Sequence, residues 1–425
     1  MVLKKKSLLH SIFYMSGATV IAQLINIVSQ PIIVRLVSPQ TLGIYTFLVG
    51  TANIVIPIAS LKLEMLLVSE KKEKIAQYLT DLCLILVCLV SFLFLLIIGI
   101  GYSCRLSVLT QYGLIIFCIP IIVFTNGIRF VFLNYNNRYK QYDVISKISI
   151  IRELARALIQ VISGLIHIGV IGMIAGYVLA PLFCIKYQTK DFIQRLKNRA
   201  VISGNKIISL FKANKNQVAF LVPAQALNSF SFSLIIISIS LIYSAEELGY
   251  YSVGIKLLEI PLVLITTSVC KVIFQKISSD VNNDKGILHM FSKTTMILTG
   301  ISVLFFSVLY ITGPYLAKLI FGNNYILAGF YTKCLCLMYA LRFIATSFTG
   351  LFTLFNKQKI ELYLMTILIT TLIIIGSICK WMHLSITSYL WMVGCAFSIT
   401  YVTIWILYYV LCKSHDKHIM IKSLT

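Results

Sequence analysis

The sequence predicts an all-α polytopic membrane protein with about twelve transmembrane helices in two pseudo-repeated six-helix bundles around a central cavity. Three observations predict it. Hydrophobic residues make up 59% of the 425 and charged residues only 12%, with a mean hydropathy of +0.91, whereas soluble domains carry about 25% charged residues. Apolar stretches long enough to cross a bilayer core, which needs about 20 residues per helix, recur along the chain. Short motifs from the first half return in the same order in the second. The composition excludes a water-soluble enzyme. It also excludes disorder, because disordered chains are poor in the Ile, Leu, Val and Phe that fill this one.

In chain order the proposed spans are 11–34, 41–67, 80–101, 113–133, 145–167 and 169–187, then 217–242, 249–274, 294–313, 326–348, 360–379 and 385–411. The first places Gln23, Asn26 and Gln30 on one helix face, and Gln225 and Asn228 do the same in the seventh. Amides are costly against lipid, so these faces either bond to neighbouring helices or line a polar cavity. The second and eighth spans open with Leu-Gly-x-Tyr, read as a tight turn followed by a tyrosine at the membrane interface. The fifth is the most polar, carrying Lys147, Arg152, Glu153 and Arg156. Fusing it with the sixth would put the basic segment from Lys186 to Lys215 on the wrong side of the membrane. Gly172 and Gly176 in the sixth form a small-xxx-small pair suited to helix packing. Pro31, Pro57, Pro120, Pro181, Pro223 and Pro261 lie within spans, where each removes a backbone donor. Interrupted helices at matching places in the two halves point to a transporter.

Charge placement tests the layout. The 37 Lys and Arg outnumber the 14 Asp and Glu. With the N-terminus inside, and with Lys147 and Lys186 at the cytoplasmic ends of their spans counted with that face, 25 cations fall on the cytoplasmic side, four outside (Arg35, Arg105, Lys318, Lys380) and the other eight within spans, as the positive-inside rule requires. Basicity therefore reports topology, and nucleic acid is not an expected partner. Both termini are cytoplasmic on this layout. The Lys4–Lys6 run does not read as a signal peptide, because the apolar stretch after it is too long and lacks a cleavage site.

The longest polar stretch separates residues 1–188, a first six-helix bundle, from residues 217–411, a second; 189–216 form a basic linker and 412–425 a cytoplasmic tail. Residues 22–29, AQLINIVS, match 224–231, AQALNSFS, at an offset of 202, and Leu42-Gly43-Ile44-Tyr45 matches Leu248-Gly249-Tyr250-Tyr251 at 206. Two ordered matches at nearly one offset mark an internal duplication.

Ionisable groups inside a membrane cost about 2.5–3.5 kcal/mol each on insertion scales, so their presence calls for a reason. The deepest are Arg152, Glu153, Arg156, Lys256, Glu259 and Arg342, a net cationic set that would attract an anion. Glu153 with Arg156, and Lys256 with Glu259, have the i,i+3 spacing for mutual neutralisation. Lys62, Glu64 and Arg129 lie near cytoplasmic ends, where long side chains snorkel. The carboxylates Glu64, Glu153 and Glu259 either balance charge or couple transport to protons or sodium. Nucleotide-binding G-x-x-x-x-G-K-[ST] and zinc-binding H-E-x-x-H motifs are absent, and the 11 cysteines form no CxxC pair. No cofactor is expected, and no catalytic role.

The stretch Arg35-Leu-Val-Ser38-Pro39-Gln-Thr-Leu-Gly43-Ile-Tyr45 resembles the R-L-x-S-P-x-x-F/L-G-x-Y signature of the Wzx-type polysaccharide-repeat flippases, within the multidrug/oligosaccharidyl-lipid/polysaccharide exporter superfamily. Ala59-Ser-Leu-Lys62-Leu-Glu64 is similar to that family's A-x-L-R-x-E, and Leu248 to Pro261 to its L-G-x-Y-x-x-x-x-R-x-x-x-x-P. Phe274-Gln275-Lys276 and Gly322 to Gly329 resemble the segments that follow. Lysine replaces the frequent arginine at Lys62 and Lys256, which keeps the charge and loses bidentate phosphate recognition.

The resemblance implies alternating access by two bundles in a bacterial inner membrane. Its cargo would be an undecaprenyl-pyrophosphate-linked oligosaccharide for O-antigen or capsule assembly, with a polymerase and a chain-length regulator as partners. Lys62, Arg152, Arg156, Lys256 and Arg342 would then meet the pyrophosphate, and Gln23, Asn26, Gln225 and Asn228 the sugar hydroxyls. A peptidoglycan-precursor flippase, a drug exporter and a membrane glycosyltransferase or polymerase remain as alternatives.

Overall fold

A computed structural model describes residues 8–70, 72–196, 215–283, 285–355 and 357–424. Among them every long element is a helix. We number these α1 (Leu8–Leu36), α2 (Pro39–Val55), α3 (Glu73–Ser103), α4 (Cys118–Arg138), α5 (Tyr142–Leu165) and α6 (Val170–Phe183). There follow α7 (Lys215–Ile242), α8 (Ala245–Asn282), α9 (Leu288–Phe321), α10 (Ile326–Thr346), α11 (Gln358–Trp381) and α12 (Ile386–Leu424). They correspond in order to the twelve proposed spans. Among the described residues nine stretches are long and apolar enough to cross a membrane; α5, α7 and α8 supply the other three helices. The helices leave apolar side chains such as Ile97, Ile100, Leu304, Ile311 and Ile399 exposed, a surface that lipid covers and water does not. The chain is a multi-pass membrane protein.

Two compact units divide at Leu241/Ile242. Helix α7 opens the second sequence repeat but belongs to the first unit. There Ser233 Oγ donates to Gly50 O on α2 at 2.8 Å, and Ser240 Oγ lies 2.6 Å from Tyr112 Oη. Of the basic linker, residues 189–196 lie in a helix, Ile185–Leu196, and 197–214 fall outside the described residues. The proposed tail continues α12.

The duplication shows in local chemistry and in packing. Ser38 and Ser244 N-cap α2 and α8, accepting from Thr41 N at 3.3 Å and Glu247 N at 3.1 Å. The repeated motif is therefore Ser-x-x-x-Leu-Gly-x-Tyr, four residues longer than the sequence match. In A-Q-x-x-N-x-x-S the serine donates to the asparagine carbonyl in both copies, Ser29 to Asn26 O at 3.0 Å and Ser231 to Asn228 O at 2.8 Å. Helix pairings recur as well. In the first unit α2 and α3 pack on α4, α4 on α6 and α5 on α6; in the second α8 and α9 pack on α10, α10 on α12 and α11 on α12.

Close approach explains two glycines. A Cβ on Gly176 would meet Gln160 Cγ at 2.6 Å, so the small-xxx-small pair seats α6 against α5. On Gly329 it would lie 2.3 Å from Pro314 Cα, fixing α10 against α9.

The two second helices differ. α2 stops at Val55, passes through a 3-10 turn at Ile56–Ile58, and then holds Leu61 and Lys62 at φ of 51° and 58°. That left-handed region suits glycine, not leucine or lysine. Helix Glu64–Ser69 follows. By contrast, α8 runs unbroken through Pro261. The interruption at Pro57 therefore has no counterpart at Pro261, and the second half breaks instead after Thr346, before the short helix Gly350–Leu354.

Candidate functional site

In the first unit α5 gathers the deepest charges. Arg152 and Glu153 form the tightest pair, with Arg152 Nη2 donating to Glu153 Oε1 at 2.7 Å and Nε at 3.1 Å. Arg156 Nη1 stands 3.8 Å from Glu153 Oε2. The i,i+3 pair expected from spacing is therefore the weaker of two. Arg156 Nη2 donates instead to Tyr45 Oη on α2 at 3.0 Å, while its guanidinium sits 4.8 Å from the Tyr177 ring centroid on α6. Gln160 Nε2 bonds Tyr45 Oη at 3.3 Å and Met173 O at 3.0 Å, closing the network across α2, α5 and α6.

Arg129 of α4 also belongs here and does not snorkel. With Asn126, Arg152, Glu153, Arg156, Tyr177, Ala180 and Pro181 it lines a cavity of about 180 Å³. Three guanidiniums face one carboxylate, so the excess is cationic. Arg129 Nε reaches Asn126 Oδ1 at 3.4 Å.

In the second unit, Tyr251, Lys256 and Glu259 on α8 meet Tyr339 and Arg342 on α10 and Tyr401 on α12. Arg342 and Lys256 are the cations beside Glu259. The electrostatic neighbours of Arg342 include Tyr401, Tyr339, Glu259 and Tyr251, and its guanidinium is 5.3 Å from the Tyr339 ring centroid. Tyr251, Tyr339 and Tyr401 are buried while Glu259 stays accessible. Two cations against one carboxylate again leave positive charge.

The two clusters occupy corresponding helices: α2, α4 and α6 with α5 in one unit, α8, α10 and α12 in the other. Tyr45 and Tyr251, the tyrosines of the repeated motif, are 8% and 3% exposed and touch these clusters. They are not interface-belt residues. Tyr45 packs edge-on against Tyr177 at 6.3 Å.

The remaining predicted residues lie elsewhere. Lys62 is in the left-handed turn after α2, and Glu64, 4% exposed, accepts from Ser60 Oγ and neighbours Cys83. On α1, Asn26 Oδ1 accepts from Gln30 Nε2 at 3.0 Å, whereas Gln23 Oε1 is buried with no hydrogen-bond partner. Asn228 is half-buried on α7, and the side chain of Gln225 falls outside the described residues. No group of three or more His, Cys, Asp or Glu among the described residues is arranged to hold a metal.

Solved structures share this fold. An inward-facing multidrug resistance MATE family transporter of the MOP superfamily aligns with a TM-score of 0.70 at 11% identity, over 95% of this chain and 99% of that one. The lipid II flippase MurJ, in an inward closed conformation, aligns with a TM-score of 0.70 at 12% identity, over 96% and 92%. A MOP superfamily transporter from Pyrococcus furiosus aligns at 0.62 and 12%, over 96% of both chains. No curated protein shows significant sequence similarity. A twelve-helix duplicated fold shared with this transporter superfamily meets a direct sequence match over residues 32–328, and the chain belongs to the family described as polysaccharide biosynthesis protein.

Proposed function

We propose that the protein is a flippase carrying an undecaprenyl-pyrophosphate-linked oligosaccharide from the cytoplasmic to the periplasmic leaflet of a bacterial inner membrane, by alternating access, for O-antigen or capsule assembly. The observation that carries this reading is the net cationic cluster each unit builds on corresponding helices, around Arg152 and Arg156 in one and Lys256 and Arg342 in the other. Half-buried cations at membrane depth favour an anionic cargo, and the family's description as polysaccharide biosynthesis protein supports one from that chemistry. A cavity for cationic drugs calls for the opposite sign.

On this reading Lys62 adds a cation at the mouth, and Gln23, Asn26, Gln225 and Asn228 meet sugar hydroxyls. Glu64, Glu153 and Glu259 balance charge or carry a coupling ion. The membrane potential helps, because a cargo with two negative charges gains about 4–5 kcal/mol per 100 mV on moving outward. Both termini face the cytoplasm, and a polymerase with its chain-length regulator takes over the product outside.

Deleting the gene should abolish surface polysaccharide and accumulate the lipid-linked repeat unit in the inner leaflet. Undiminished export from the deletion strain refutes the proposal.

A further inference from the structure

The cavity beside α5, of about 180 Å³, has room for one phosphoryl or diphosphoryl group. Its cations are not equivalent. Glu153 holds Arg152 through two donors, at 2.7 and 3.1 Å, but keeps Arg156 at 3.8 Å. Arg156 commits Nη2 to Tyr45, and its Nε is buried with no hydrogen-bond partner. A buried donor without an acceptor is costly, most of all on a charged group. An oxyanion in the cavity supplies what is missing. Arg129 approaches from α4, and Asn126 and Tyr177 add neutral polar groups to the same wall.

We propose that this cavity is a phosphoryl-binding site for the diphosphate of the lipid-linked cargo, in which Arg129 and Arg156 grip the oxyanion and Glu153 sequesters Arg152. The inference rests on the flippase reading for its natural ligand. Planar guanidiniums suit phosphate and carboxylate alike, so a sugar carboxylate is the competing occupant. Glu153 sets affinity by the charge it withdraws. A cargo that must leave on the far side of the membrane needs a grip that also lets go, and a carboxylate inside the site provides it.

The test is calorimetric titration of the full-length protein in zwitterionic nanodiscs with inorganic pyrophosphate and, separately, glucuronate, at fixed ionic strength. Pyrophosphate should bind one to one and more tightly than glucuronate. Arg129→Gln and Arg156→Gln should each weaken it about tenfold or more, and Arg156→Lys should recover only part of the loss. Glu153→Gln, which frees Arg152, should tighten it about threefold or more. Lys293→Gln, the same loss of one positive charge at an exposed position, should change nothing. Opposite signs for Glu153→Gln and Arg156→Gln do not arise from misfolding. Equal affinity in all variants, weaker binding by Glu153→Gln, or a preference for glucuronate overturns the site. Site-dependent pyrophosphate binding in a protein whose deletion leaves surface polysaccharide intact refutes the flippase and keeps the site; the reverse pairing refutes the site and keeps the flippase.

Discussion

Tyr45 accepts from both Arg156 and Gln160 while only 8% exposed. Tyr45→Phe keeps the ring packing and strips the acceptor from two donors. Leaving such donors unpaired costs about 1–3 kcal/mol, so the variant should melt several degrees lower in detergent and lose transport, whereas Tyr363→Phe at an exposed position should do neither. Single residues were also where the sequence was hardest to read. Arg152 and Glu153 are adjacent, and neighbours i,i+1 on a helix do not face one another; an arginine long enough to fold back along the helix defeats that rule. Arg129 sits near a span end, and the packing of α4 beside α5 and α6 sets it in the cavity wall. A tyrosine after Leu-Gly reads equally well as a belt residue or a buried acceptor until its partner on α5 is known.

Among elements, Arg138 shows how a helix end is tied down. Its Nη1 donates to Leu67 O at 2.8 Å and to Glu70 O, and Nη2 reaches Glu73 Oε2 at 3.5 Å. Arg195 joins from helix Ile185–Leu196, with Nη1 on Glu73 at 3.0 Å and Nε on Asp191 at 2.9 Å. Exposed ion pairs contribute little, but Arg138 is only 10% exposed and serves backbone carbonyls. Arg138→Ala should therefore destabilise by about 1.5–3 kcal/mol and Arg195→Ala by under ~1 kcal/mol, a difference that thermal unfolding resolves. The left-handed turn after α2 makes the opposite prediction. Lys62→Gly removes a side chain from a φ that glycine adopts freely, so melting should hold or rise, by up to ~1 kcal/mol. A marked loss of stability shows instead that the lysine side chain holds the turn.

For the whole molecule, twelve helices, their order and the duplication were legible because a bilayer enforces length and hydropathy on every span. The division at Leu241/Ile242 was not, since the polar stretch that punctuates the sequence precedes α7, whereas packing against α2 assigns α7 to the first unit. Topology remains open to a direct test. Cys104 is exposed just beyond the end of α3, on the face opposite the cytoplasm by the charge layout. An impermeant maleimide should label it in intact spheroplasts, and Cys104→Ser should abolish that signal. A cysteine replacing Lys190 should react only after lysis. Labelling of Lys190→Cys from outside inverts the layout.

The unequal second helices have a mechanical consequence. α8 is 38 residues long, about 57 Å at 1.5 Å per residue, a rod that outreaches the ~30 Å core. α2 is an arm with an elbow between Val55 and Glu64. Bending stiffness along a rod is distributed, whereas an elbow concentrates compliance at one point. Spin-label distance distributions spanning residues 48 to 66 should therefore be broad and shift with cargo, while those spanning 254 to 272 stay narrow, so that a fold built by duplication works with one jointed limb and one stiff one.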